Sequence, residues 1–257
     1  MRDMCLRKAK EENFLQNVNF AHQNRTSVSS SMVTNATETV KVRRLAIYLN
    51  SNVDELVPLR NHKDSHLRSL LYFAPVNCIL KDEKLVGSLV KNFRLLRVLK
   101  FEGMVTSGEL PNEIGNMVHL RFLSLWRTQV TRLPSSLGKL ICLQTLNLKF
   151  CDCNVIPNVI WKMEQLRHLY LPLYWTSHPK LRLSTIRNLQ TLDHVSSLCS
   201  DLNDLSGLRN LRKLGIGGTS SLEKLEENLK SKSSTLDGIR SLYVHNLLGT
   251  KSGTEVT

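Results

Sequence analysis

The sequence predicts an α/β solenoid: repeated units that each add one short strand to a curved parallel sheet on the concave side, with short helices and loops on the convex side. Three observations predict it. Leucines return at a near-constant interval. Within each return they occupy alternating positions. The units then close on an apolar residue, a proline and a second apolar run.

The strand-forming element is apolar-x-x-apolar-x-apolar. It starts at Val42, Leu67, Leu96, Leu120, Leu143, Leu166, Leu189, Leu211 and Ile239, at intervals of 25, 29, 24, 23, 23, 23, 22 and 28 residues. This is the period of leucine-rich repeats. Successive side chains of a strand face opposite sides, so Leu123 and Leu125 turn inward while Phe122, Ser124 and Trp126 turn to the open face. One unit cannot bury its leucines alone, and stacking makes a shared core while pairing each strand's backbone groups with its neighbours.

The return segments agree. Leu110-Pro111, Leu133-Pro134 and Ile156-Pro157 precede apolar residues at matched offsets: Ile114, Met117; Leu137, Leu140; Ile160, Met163. That spacing predicts one short helix per unit, with proline where its missing N–H costs nothing. Residues 1–16 read as helical, 24–39 as a Ser/Thr/Asn-rich loop, and 173–188 as a lengthened return. The expected division is a leading helical segment over 1–16, a linker over 17–41, and about nine repeats over 42–257, truncated at the C-terminus because no polar closing unit follows.

Composition narrows the class. Thirty-five Lys and Arg against 22 Asp and Glu give a formal charge of +13, which favours anionic partners without choosing among them. Residues 1–16 hold no signal-like apolar core, and no run approaches a transmembrane length. The six scattered cysteines read as reduced thiols, so a cytoplasmic location is expected. There is no G-x-x-x-x-G-K-[ST], no G-x-S-x-G and no H-E-x-x-H, and no basic helix or stacking platform suggests specific nucleic-acid binding. A non-enzymatic binding surface is expected, with no cofactor, metal or catalytic residue in this chain. The Cys151-x-Cys153 pair lacks the further ligands zinc requires. Gly215-Ile216-Gly217-Gly218-Thr219-Ser220 reads as a turn.

The run GELPNEIGNMVHLRFLSLWRTQVTRLPSSLGKLICLQTLNLKFCD resembles the repeats of plant intracellular nucleotide-binding leucine-rich-repeat disease-resistance proteins, coiled-coil class. MRDMCLRKAKEENFL followed by KVRRLAIYLN resembles that family's junction between winged-helix domain and repeats, which implies that residues 1–16 are the remnant of a preceding winged-helix domain. The resemblance implies a sensor and autoinhibitory region acting in defence against pathogens. It also implies partners: the family's own nucleotide-binding domain, which would carry ADP or ATP, and a pathogen effector or guarded host protein. An alternative is a free-standing adaptor that scaffolds host signalling proteins.

Two sets of residues are candidate protein-binding sites. Seven units carry arginine directly after their first apolar position: Arg43, Arg68, Arg97, Arg121, Arg167, Arg212 and Arg240; Gln144 and Gln190 fill the other two. Stacked about 4.8 Å apart, they should form a ladder. It is either an intramolecular docking strip for an acidic face or a solvated row whose stems cover leucines. The second set is aromatic: Phe122, Trp126, Phe150, Tyr170, Tyr174 and Trp175. Either they anchor a partner or they pack on one another and on the long return.

Overall fold

A computed structural model describes residues 16–19, 43–48, 66–79, 90–105, 108–177, 179–196, 200, 202–217 and 238–245. It holds a ten-stranded, wholly parallel sheet: β1 (Gln16–Asn19), β2 (Arg44–Tyr48), β3 (Ser69–Ile79), β4 (Val98–Val105), β6 (Phe122–Ser124), β8 (Thr145–Asn147), β9 (His168–Tyr170), β10 (Thr191–Ser196), β11 (Lys213–Gly217) and β12 (Ser241–His245). Strands β5 (Gly108–Glu109) and β7 (Val130–Arg132) form a small second sheet where units turn away from the main one.

Register follows the repeat position for position. Leu99 pairs with Leu123, Leu123 with Leu146, Leu146 with Leu169 and Leu169 with Leu192. All five are fully buried, as are the starting leucines Leu96, Leu120, Leu143, Leu166 and Leu189. Each buried leucine is worth on the order of 1.5–3 kcal/mol, and only the stack completes its burial. Tyr72 takes the place of the sixth-position leucine in its unit. It stacks on Phe101, centroids 5.3 Å apart, and burial pushes its phenol pKa upward.

Four expectations change. The returns at Asn112–Asn116, Ser135–Lys139, Ile160–Lys162 and Leu202–Gly207 are 3-10 turns, because three to six residues give tighter i→i+3 closure room and an α-helix little length to propagate. Strand β1 lies within the stretch read as remnant and linker and pairs with β2 over Gln16–Asn19; it lacks the leucine spacing, and backbone pairing to an open sheet edge does not require it. Gly215–Gly217 are strand rather than turn, since β11 is paired on both sides. In the unit starting at Leu189 the sixth position is His194, not an apolar residue. There the backbone takes φ 60° and the β10 register shifts, so that Val195 pairs with Ile216. A bulge thus re-aims an apolar side chain into the core. The helix read over 1–16 falls, except for Gln16, outside the described residues, as do most of the linker and the C-terminal end.

Candidate protein-binding surface

The arginine row is built by the backbone. The amide N–H at this position donates to the carbonyl at the same position one unit earlier: Arg68 to Arg43, Arg97 to Arg68, Arg121 to Arg97, Gln144 to Arg121, Arg167 to Gln144, Gln190 to Arg167, Arg212 to Gln190 and Arg240 to Arg212, all at 2.7–2.8 Å. An unbroken chain of hydrogen bonds therefore runs through all seven arginines along the edge where the chain enters each strand, called here the leading edge. Arg43, Arg97, Arg121, Arg167 and Arg240 are exposed. Arg212 is folded over the following unit, its Nη1 donating to the carbonyls of Leu211 at 3.2 Å and Gly238 at 3.3 Å. It serves the turn first and a partner second.

The aromatic set does not hold together as one patch. Trp126 meets Phe150 edge-on at 6.3 Å, with the Arg127 guanidinium 5.1 Å from the Trp126 ring. Phe150 is 51% exposed, held outward by a left-handed backbone (φ 58°) at the turn position that Gly103 (φ 72°) and Arg127 (φ 54°) occupy in their own units. Phe122 and Tyr170 lie half-buried in the open-face rows. Tyr174 is exposed but stands beyond its strand, on the return. Trp175 is buried, its indole N–H donating to the His194 carbonyl at 3.0 Å. It is a core residue that plugs the β10 bulge and is unavailable as an anchor. Ser124, also assigned to the open face, is fully buried and donates to Glu102 at 3.3 Å.

A further aromatic group was not singled out from the sequence. Tyr48 stacks on Phe73 at 4.9 Å, and Lys100 Nζ lies 4.5 Å from the Phe73 ring while pairing with Glu102 at 2.9 Å. Tyr48, Phe73, Glu102 and Trp126 share the seventh position of their units. Aligning units by position, rather than counting aromatics in consecutive units, would have revealed this row.

Charges on the open face are largely matched. Lys149 pairs with Asp193 across two units at 2.8 Å, and His194 Nδ1 lies 3.3 Å from the same carboxylate. Burial works to raise the pKa of Asp193. The hydrogen bonds and charges of His194 and Lys149 outweigh it and hold the carboxyl well below the usual carboxylate range. The Cys151 thiol is pushed up by its hydrogen bond with Cys153 and by burial. Its sulfur accepts the Cys153 amide at 3.3 Å, so it ties down the turn, as Thr128 does one unit earlier through the Leu125 carbonyl at 2.8 Å. No group of three metal-ligating side chains forms among the described residues, and none of their helices is long and apolar enough to cross a membrane.

This geometry offers a face and an edge for another macromolecule. Comparison with known proteins gives it a setting. A profile for leucine-rich repeat regions matches residues 66–256. A disease-resistance protein of Arabidopsis thaliana is 40% identical over 200 residues, covering 77% of this chain and 20% of the relative. The probable disease resistance RPP8-like protein 2 of the same plant is 36% identical over 200 residues, with the same coverage. The probable disease resistance protein RF9 is 35% identical and aligns with 100% of this chain and 23% of itself. The chain thus spans about a fifth of the length of these relatives. Among solved structures, a leucine-rich-repeat protein of Leptospira interrogans superposes with TM-score 0.58 at 19% identity, covering 93% of this chain and 63% of that one. The repeat domain of the type III effector XopL gives 0.53 at 16%, covering 88% and 78%. These two likenesses bear on the fold.

Proposed function

The chain belongs to the leucine-rich-repeat family and is homologous to the repeat region of plant disease-resistance proteins; from that premise we propose that it is the sensor and autoinhibitory repeat region of an intracellular immune receptor. In this reading the leading-edge arginines dock an acidic face of the receptor's nucleotide-binding region, and the aromatic open face receives a pathogen effector or a guarded host protein. The chain supplies binding energy alone, in the cytoplasm, while nucleotide chemistry belongs to the domain it restrains. A partner on the open face that favours the undocked arrangement releases that restraint, because coupling requires contacts that differ between two states.

The observation that carries this reading is the arginine row. Seven guanidinium groups on registered strands repel one another, and an acidic partner relieves that repulsion. Arg97→Glu with Arg121→Glu should abolish co-precipitation with a separately expressed nucleotide-binding region of a homologous receptor. Undiminished co-precipitation would reject the docking role. Trp126→Ala with Tyr170→Ala should separately remove effector recognition while the far-UV circular dichroism stays the same.

A further inference from the structure

The leading edge holds more than the arginine ladder. Six units there make a two-residue turn before their first buried leucine: Arg94-Leu95, Val118-His119, Ile141-Cys142, Glu164-Gln165, Arg187-Asn188 and Arg209-Asn210. The turns stack in register. Asn188 Nδ2 donates to the Glu164 carbonyl at 3.0 Å and Asn210 Nδ2 to the Arg187 carbonyl at 2.9 Å. Arg94, Arg187 and Arg209 are exposed and add a second basic row beside the ladder. Among the described residues Glu164 is the one acid in these turn and ladder positions. Within this cationic strip, three consecutive turns expose aliphatic side chains: Leu95 at 36%, Val118 at 44% and Ile141 at 60%. The opposite edge differs, with Arg132 and Glu109 paired at 3.0 Å and both signs present.

We infer that the leading edge seats on a negatively charged lipid surface, with Leu95, Val118 and Ile141 entering the headgroup layer between arginines. Three features fit a bilayer. The strands begin level, since Arg44, Ser69, Val98, Phe122, Thr145, His168, Thr191, Lys213 and Ser241 pair in sequence. Over the six described turns the edge is therefore an even strip about 24 Å long at the usual strand spacing, which a flat partner can follow along its length. The aliphatic side chains are exposed on turns, where they can enter lipid without exposing unpaired backbone. Guanidinium groups bind phosphate and carboxylate oxygens in pairs, and each basic side chain near an anionic leaflet strengthens binding about fivefold. This surface goes beyond the docking role, although it shares the ladder with it.

The test is co-sedimentation of the full 257-residue chain with phosphatidylcholine vesicles, with and without a minority of phosphatidylserine. Binding should require phosphatidylserine and weaken with salt. Val118→Ser with Ile141→Ser keeps every arginine and should lower partitioning about tenfold. Arg94→Glu with Arg187→Glu should lower it by more than about twentyfold. Urea midpoints unchanged from the parent would show both variants folded. Failure of the parent to sediment with phosphatidylserine vesicles would overturn the inference. So would undiminished binding by the Val118/Ile141 variant, which would reduce the edge to a bare polyanion patch. Neither result touches the docking role, since the Arg97/Arg121 reversal is read without lipid.

Discussion

Gly115→Ala isolates how closely the convex turns stack. A Cβ built on Gly115 would lie 2.6 Å from the Ser136 carbonyl oxygen, 2.9 Å from its Cβ and 3.1 Å from its carbonyl carbon. Two of those atoms are backbone of the next 3-10 turn, which cannot rotate aside. It is also tied to Gly115's own turn by the Ser136 hydroxyl, donating to the Asn112 carbonyl at 2.6 Å. Overpacking of this kind costs about 1–3 kcal/mol. Alanine's smaller unfolded-state entropy returns about 0.4–1 kcal/mol, leaving a net loss of about 1–2 kcal/mol. Two other glycines grade the effect. At Gly138 the obstacle is the Val159 side chain, its Cβ at 3.0 Å, so the cost should be smaller. At Gly207 the nearest atom is the Ser184 carbonyl oxygen at 3.5 Å, an ordinary contact. Gly207→Ala should therefore be neutral or stabilising by up to about 1 kcal/mol. Urea unfolding followed by circular dichroism should rank the midpoints Gly207→Ala, then Gly138→Ala, then Gly115→Ala, the extremes about 1 M apart. A Gly115→Ala midpoint at or above that of Gly207→Ala would refute the claim that turn-to-turn distance sets the tolerance.

Two more predictions concern the β10 bulge. Asp193 has a depressed pKa in the folded chain, so its stabilisation is present above the unfolded value of about 3.9 and is lost as pH falls through the folded value. Asp193→Asn should then be less stable than the parent at neutral pH, with the difference closing below about pH 4; a pH-independent difference in urea midpoint would contradict the ion-pair account. Trp175→Phe removes the donor to the His194 carbonyl while keeping an aromatic plug. It should cost about 1–2 kcal/mol, and an unchanged melting temperature would show that the indole N–H is not anchoring the bulge.

The solenoid was legible because its rule is local. Leu120, Leu123 and Leu125 sit within six residues, and the next unit repeats them 23 residues on. Strand direction and the arginine row follow from that spacing. What escaped depends on contacts between distant units or on backbone detail. Trp175 reads as an exposed aromatic on a long return until His194, 19 residues later, offers it a carbonyl. His194 reads as part of a regular unit until its positive φ moves Val195 into the core. The short returns have helical spacing, but their three to six residues close as 3-10 turns. The Tyr48–Phe73 stack and the exposed aliphatic turn residues were written in the chain. They appear only when residues are compared at equal positions across units, not as neighbours in sequence.

The level starts of the strands bear on how such a chain tolerates insertion and loss. Units of 22 and of 29 residues deliver their strands to the same height, so extra residues fall after a unit's sixth position, some of them in the register shift of β3 between Phe73 and Cys78, and leave the hydrogen-bond chain through the arginine positions intact. One residue gained between a unit's first and fourth leucine positions would instead rotate its inward side chains to the open face. Variation in length is thereby kept behind the first six positions of a unit, and the rows those positions form remain a fixed grid on which single side chains can be exchanged one at a time.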